Sequence, residues 1–340
     1  MNNSIDIGGQ SIPAMESPEG TTLTTDDYIS LSNIDAFPDH VRTITGSLHL
    51  HNCSLRSLPS PLTIRGDLDI YSCPDLVLPA DLEVTGDLML GNSEIRSDML
   101  PSGLVVGGAL YISDCPFRAL PPDIRVGRSI VASDSKLEVL PEVLSLPGSL
   151  DISGTTISML PPHLEIGSAL VATNCPIAEL PAGLKLGESL DIRGTRITQL
   201  PDVLTLGGDL FISNTAIARL PENLKLCSLD ISNTQITEIP ASTKILVSLW
   251  ANQTNIKTLP ATFVEFDVLA LTGSAIQELP ENLRITLDLH LADSAIRSLP
   301  AKISVGDSVY LGGTSVPRSH LPKNSRTGKD LNINWDWRPS

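Results

Sequence analysis

A twenty-residue period governs this chain. Prolines stand at 38, 59, 79, 101, 121, 141, 161, 181, 201, 221, 240, 260, 280, 300 and 322, and ten of the fourteen intervals between them are twenty residues long. One copy runs from Leu140-Pro141 to Met159; Leu160-Pro161 follows at once and the pattern begins again. A period of this length marks a solenoid, in which no copy can bury its apolar face alone and neighbours share the burial. The 340 residues therefore read as one quasi-linear array, although length alone suggests two or three globular domains.

Within each copy, a large aliphatic comes nine residues after nearly every proline (Leu68, Leu110, Leu150, Leu190, Leu210, Leu249). A second apolar residue follows two later, with Ala at 132, 172 and 251. Alternation over so short a run predicts a strand with one face buried. Five residues after the first aliphatic, all fourteen copies carry Cys, Ser or Thr: Cys53, Cys73, Ser93, Cys115, Ser135, Thr155, Cys175, Thr195, Thr215, Thr234, Thr254, Ser274, Ser294 and Thr314. Backbone groups turned inward need partners, so this structural ladder is expected to bond to the loop of the neighbouring copy. Leu-Pro then begins an extended, polyproline-like return, since proline fixes φ and donates no hydrogen bond. Glycine pairs such as Gly107-Gly108 and Gly207-Gly208 are expected to permit the tight turn into the next strand. The expected architecture is a solenoid with a curved parallel sheet on its concave face, an extended convex face and few or no helices.

Composition narrows the function classes. Aromatics make up only 4% of the chain, so the core must be built from Leu, Ile and Val. A net charge of −16 argues against nucleic acid, whose binding needs clustered Lys and Arg, and against anionic membrane surfaces. No apolar run approaches the length of a membrane span, and the first thirty residues lack the basic start and apolar core of a Sec-type signal peptide. Cys53, Cys73, Cys115 and Cys175 share the ladder position, so they read as small buried thiols in a reduced compartment. Cys227 stands apart, where a Gly-Gly pair has been shortened.

Three segments are expected. Residues 1–37 read as a flexible polar N-terminal segment with an N-cap. Ile5-Asp6-Ile7-Gly8-Gly9 echoes the repeat strand, and Thr24–Ser32 is expected as a short helix or irregular strand, with Thr25, Asp26 and Asp27 as helix-start signals. Residues 38–322 hold the repeats, about fourteen of them. Residues 323–340 are expected to supply a final strand through Leu331 and Ile333 and a cap containing Trp335 and Trp337.

The pattern Gly107-x-x-Leu110-x-Ile112-x-x-Cys115-x-Phe117 resembles the leucine-rich repeat, with Gly or Pro in place of its first leucine. The twenty-residue period with Leu140-Pro141 or Leu200-Pro201 at the junction is similar to that of bacterial type III secretion effectors of the YopM, SspH and IpaH kind. Two departures matter. The asparagine usual at the ladder is here Cys, Ser or Thr. The ubiquitin-ligase members carry a large helical domain after the repeats, and with so few residues after Pro322 none is expected here. Cys227-Ser228-Leu229-Asp230 resembles a ligase-like Cys and Asp pair, but it lies inside a repeat and is not taken as a nucleophile. The resemblance implies a secreted effector reaching a host cell by a non-Sec route. A bacterial or phage recognition protein that is not injected is the alternative, and an enzyme with a cryptic site is the third reading. No catalytic residue, cofactor or metal is assigned, and the oligomeric state is left open.

Function is expected on the open sheet face, at strand positions between the buried aliphatics, which vary from copy to copy and which the fold does not specify. Asp151, Asp191 and Asp230 interleave with Phe211 and Trp250, and Arg193 lies on the adjoining stripe. Aromatic anchors beside carboxylates suit a protein partner with a basic segment. Tyr111, His290 and Tyr310 extend the partner-binding stripe. Near the N-terminus His49 and His51 share one strand face, with Asp69 and Tyr71 on the next strand. Such a pair is able to hold a transition metal, but these residues are read as part of the contact stripe.

Overall fold

The computed structural model describes residues 3–91, 93, 95, 100–317, 319, 321 and 332–334. Leu331, Trp335 and Trp337 of the expected C-terminal cap, and Pro322, lie outside the described residues. The chain divides into two compact units, Met1–Pro176 with Gly183–Lys185, and Ile177–Ala182 with Leu186–Ser340. Each is a parallel β-solenoid, and no α-helix occurs among the described residues.

The first unit opens with strands β1 (Asn3–Ile7), β2 (Gln10–Ser17), β3 (Gly20–Leu23), β4 (Tyr28–Ser32), β5 (Val41–Ile44), β6 (Ser47–His51), β7 (Leu62–Ile64) and β8 (Leu68–Tyr71). Strands β4, β6 and β8 begin the front sheet, in which the first aliphatics pair in register: Leu48 with Leu68, Leu68 with Leu88, Leu88 with Leu110, Leu110 with Ile130, Ile130 with Leu150 and Leu150 with Leu170. The same rule holds in the second unit from Leu190 through Leu210, Leu229, Leu249, Leu269, Leu289 and Val309 to Ile333. All of these from Leu48 to Val309 are fully buried, as are Leu50, Ile70, Leu90, Ile112 and Ile152 two residues on. One register fits because a slip of a single residue would turn the whole apolar row outward.

The return path carries a second row of short strands a few residues after the prolines. Ile44, Ile64, Val84, Val106 and Val126 stack there, as do Leu146 and Ile166, and in the second unit Phe266, Ile285 and Val305.

Residues 3–23 form strands where a flexible segment is expected, and of the short helix or irregular strand expected at Thr24–Ser32 the structure shows a strand, β4. Strands β1, β2 and β3 form an antiparallel meander, and β3 pairs in parallel with β5 on the edge of the return sheet. The physical reasons are local. Gly8 and Gly9 both have positive φ, 61° and 82°, which suits a tight two-residue hairpin. Alternation buries Ile12 and Ala14 against the first repeats. The meander thereby covers a sheet edge that would otherwise present unpaired backbone groups.

The ladder bonds differently from expectation. Most of the hydroxyls turn back to the carbonyl three residues earlier in their own copy: Thr155 to Ile152, Thr195 to Ile192 and Thr215 to Ile212 at 2.7 Å, and likewise Thr234, Thr254 and Thr314, whereas those of Ser93 and Ser294 make no such bond. Only the thiols reach the preceding copy, Cys53 to the Leu31 carbonyl, Cys73 to Leu50, Cys115 to Leu90 and Cys175 to Ile152. Carbon–sulfur bonds are longer than carbon–oxygen bonds, which lets the larger atom span the gap between rungs. Burial pushes the Cys73 thiol up to about 11 and the Cys115 thiol up to about 12, so both stay protonated.

A further row of bonds from copy to copy lies one residue before the first aliphatic. There Ser47 accepts from the Asp67 N–H at 2.9 Å, Asp67 from Asp87, Asp87 from Ala109, Ser129 from Ser149, Ser189 from Asp209 and Asp209 from Ser228. The glycine pairs are likewise a matter of close stacking, not of φ. A Cβ on Gly107 would stand 2.3 Å from the Thr85 carbonyl oxygen. Left-handed φ belongs instead to the residue before the ladder, where Asn52, Asp114, Asp134, Asn174, Asn214 and Asn233 adopt φ of 54–60°. Asn and Asp tolerate that region better than other side-chain-bearing residues.

Candidate functional site

The outward stripe of the first unit gathers one cluster. His49 lies between the buried Leu48 and Leu50 on β6, pairs in register with Asp69 on β8, and His51 pairs with Tyr71. Alternation along β6 places both imidazoles on the outer face. The Tyr28 ring stacks on His49 at 5.1 Å and 9°. His49 and His51 centroids are 6.3 Å apart, and those of His51 and Tyr71 6.2 Å. His49, His51 and Asp69 are each half-buried, and one donor atom from each lies within 4.8 Å of the others. Tyr28, not among the expected site residues, completes this cluster. Its signal in the sequence is its place one residue before Ile29, where the next copies carry Ser47 and Asp67.

Other predicted residues of the first unit stand apart from the cluster. Tyr111 lies two strands beyond Asp69, in register between Met89 and Val131. Asp151 lies between Val131 and Val171, and its carboxylate accepts from the Ser153 N–H at 2.9 Å and from the Ser153 hydroxyl.

In the second unit Asp191, Phe211, Asp230, Trp250, Ala270, His290 and Tyr310 follow one another in register. Asp191 is not an open acidic contact. It is buried, and Arg193 grips it through Nη2 to Oδ2 at 2.6 Å and Nε to Oδ1 at 2.9 Å. The hydrogen bond to Asp191 holds the guanidinium above its usual range, with burial opposing. The Arg193 Cζ then lies 5.5 Å from the Phe211 ring centroid. Phe211 meets Trp250 edge-on at 6.4 Å, reaching past the smaller Asp230, whose carboxylate accepts from the Ser232 N–H at 3.0 Å. Further along, His290 and Tyr310 stack at 4.3 Å and 2°. Burial lowers the His290 imidazole from its ordinary range, with Asp288 opposing.

The three carboxylates read beside the aromatic anchors differ in their surroundings. Asp191 is neutralised by its own neighbour, Asp151 belongs to the first unit, and Asp151 and Asp230 both hold their own turns. What the second unit offers is a half-buried aromatic pad, Phe211 and Trp250, with a guanidinium laid against one end. Cys227 sits half-exposed in the strand Lys225–Asp230, with its N–H donating to the Gly208 carbonyl at 2.9 Å. The Asp230 carboxylate of the ligase-like motif is directed to Ser232 and not to this thiol.

No protein-family model matches the sequence, and no curated protein matches it. Among solved structures the chain is similar to YopM from Yersinia enterocolitica, at 19% identity and a TM-score of 0.45 over 90% of this chain and 85% of that one. It is similar to a leucine-rich-repeat protein of Leptospira interrogans, at 15% identity and 0.43 over 84% and 89%. A third likeness is to YopM, a leucine-rich effector protein from Yersinia pestis, at 20% identity and 0.43 over 90% and 80%. No helix among the described residues is long and apolar enough to cross a membrane.

Proposed function

We propose that this chain is a non-catalytic protein-binding module that docks a partner on the open sheet face of its second unit. The observation that carries this is the pad of Phe211 and Trp250 with Arg193 against it. Trp, Tyr and Arg are the residues that most often dominate protein interfaces. The sheet beneath is fixed by parallel pairing, so the pad is preorganised and binding orders little of the scaffold. The net charge of −16 favours approach by a basic partner. Local contact at the pad favours an apolar or aromatic segment beside it.

The deciding experiment is affinity capture with partner identification, run in parallel on the wild type and on Phe211→Ala/Trp250→Ala with an unchanged far-UV spectrum. Partners retained by both would remove this reading.

A second reading adds delivery into a host cell as a secreted effector. The twenty-residue Leu-Pro period favours it, through the resemblance given above. Export of a reporter fused to residues 1–40 from a secretion-competent strain tests it. Because β1, β2 and β3 belong to the first unit's return sheet and β4 to its front sheet, the same assay on the full chain is the needed companion. Failure of both to export counts against delivery and leaves the docking proposal standing.

A further inference from the structure

The His49, His51 and Asp69 cluster is not used by the docking pad, and its chemistry is of another kind. We propose that these three side chains form a binding site for one divalent transition-metal ion of the zinc class. Among the described residues, no other group of His, Cys, Asp and Glu brings three donors together in this way.

The geometry is close to a coordination sphere. All three donor atoms lie within 4.8 Å of one another. Tetrahedral zinc with ligands at about 2.1 Å needs donor separations of about 3.4 Å. Closing that gap takes modest rotation about side-chain torsions and no movement of the backbone. The backbone is held on both strands by parallel pairing and by Leu48, Leu50, Leu68 and Ile70, all fully buried. Tyr28 packs flat against the His49 imidazole, with ring centroids 5.1 Å apart. Donors carried on rigid strands lose little freedom when the ion enters.

The donor set selects the ion. Two imidazole nitrogens and one carboxylate suit Zn2+, Co2+, Ni2+ or Cu2+, whereas Ca2+ and Mg2+ require shells built from oxygen. Three protein ligands leave a position open, as in zinc sites that keep an exchangeable ligand. Here that position faces outward from the sheet, where water or a donor atom from a second molecule completes the sphere. Contrast with the second unit supports the assignment. There the one buried carboxylate of the stripe, Asp191, is already neutralised by Arg193, whereas among the described residues no Lys or Arg forms an ion pair with Asp69.

The test uses the purified full chain, stripped of metal, with Co2+ as a visible probe and Zn2+ as competitor. The expected result is one Co2+ per chain, with a d–d spectrum of low coordination number that Zn2+ abolishes. His49→Ala or His51→Ala should weaken uptake at least about 100-fold and Asp69→Asn about 10-fold, while the exposed His163→Ala changes nothing. Far-UV spectra and thermal midpoints in metal-free buffer establish that each variant is folded. Zn2+ should raise the midpoint of the wild type and leave that of His51→Ala where it was. A wild type that takes up no Co2+ or Zn2+ at micromolar free metal overturns the site. So does a sulfur-to-cobalt charge-transfer band, which would move the ion to a cysteine. If a histidine variant does not fold, the wild-type spectrum and Asp69→Asn decide the matter alone.

Discussion

The two units put different chemistry on the same strand positions. In the first, His49 and Asp69 pair in register and, with His51, bring three possible donor atoms within 4.8 Å of one another. In the second, Asp191 and Phe211 pair in register, and Arg193 ties the carboxylate down while lying against the ring. One surface is a set of possible ligands in which, among the described residues, no Lys or Arg pairs with the carboxylate. The other has satisfied its charges internally and presents aromatic area. The scaffold beneath is alike in both, so the difference lies wholly in side chains that the fold leaves unspecified.

The comparison breaks most easily at the partner. Phe211→Ala and Trp250→Ala should each cost about 2 kcal/mol or more of partner affinity by calorimetry, whereas His49→Ala in metal-free buffer should leave it unchanged. Equal losses from the two clusters would erase the distinction between them.

Next in size is the ion pair. Asp191→Asn leaves a guanidinium without its carboxylate, and urea unfolding should show a loss of about 1–2 kcal/mol. The value is held down because the Arg193 side chain is 45% exposed and keeps part of its hydration. No change in the unfolding midpoint would mean that solvent already does the work of Asp191.

A smaller effect should follow pH. The folded protein holds His290 below its ordinary value of 6.5, so the unfolded chain takes up that proton first on acidification. The contribution is therefore complete above 6.5 and is lost as pH falls from there through the folded value. His290→Gln should flatten this part of the profile, by less than about 1 kcal/mol. An identical profile in the variant would assign the slope to other groups.

The last expected outcome changes no stability at all. Cys53, Cys73, Cys115 and Cys175 are buried, and burial keeps the Cys73 and Cys115 thiols protonated, so a thiol reagent should label only Cys227 in the native chain and all five cysteines after unfolding. Native labelling of Cys53 or Cys73 would show that the rungs under the His49 cluster open more readily than their burial implies.

Much of the scaffold is legible in the sequence because repetition amplifies weak signals. One Leu-x-Ile run is ambiguous, but a dozen in register at a constant spacing admit only stacked strands. The N-terminal meander was hidden for the opposite reason. It occurs once, it is polar, and its evidence is confined to Gly8-Gly9 and the alternation of Ile12 and Ala14. Polar bonding was legible in kind but not in place. The Cys, Ser and Thr positions looked like the link between copies, yet a hydroxyl finds the carbonyl three residues back before it can reach a neighbour. The Ser or Asp before most of these strands, which makes that link, passed as ordinary surface. At the stripes the outward positions follow from strand alternation, while the pairings do not: nothing in the order of residues says that Arg193 folds back on Asp191, or that Tyr28 stacks on His49.

The bonds from Ser47 to Asp67, Ser129 to Ser149 and Ser189 to Asp209 each join residues twenty apart. Their consequence is that this chain has a natural quantum of length. A whole copy duplicated or excised between two others would leave every such link able to re-form with its new neighbour, whereas removing half a copy would orphan a donor and shift a row of leucines at once. Growth and shrinkage by complete modules is thus open to the molecule at small cost, and each added module brings two or three blank outward positions on which new recognition can be written.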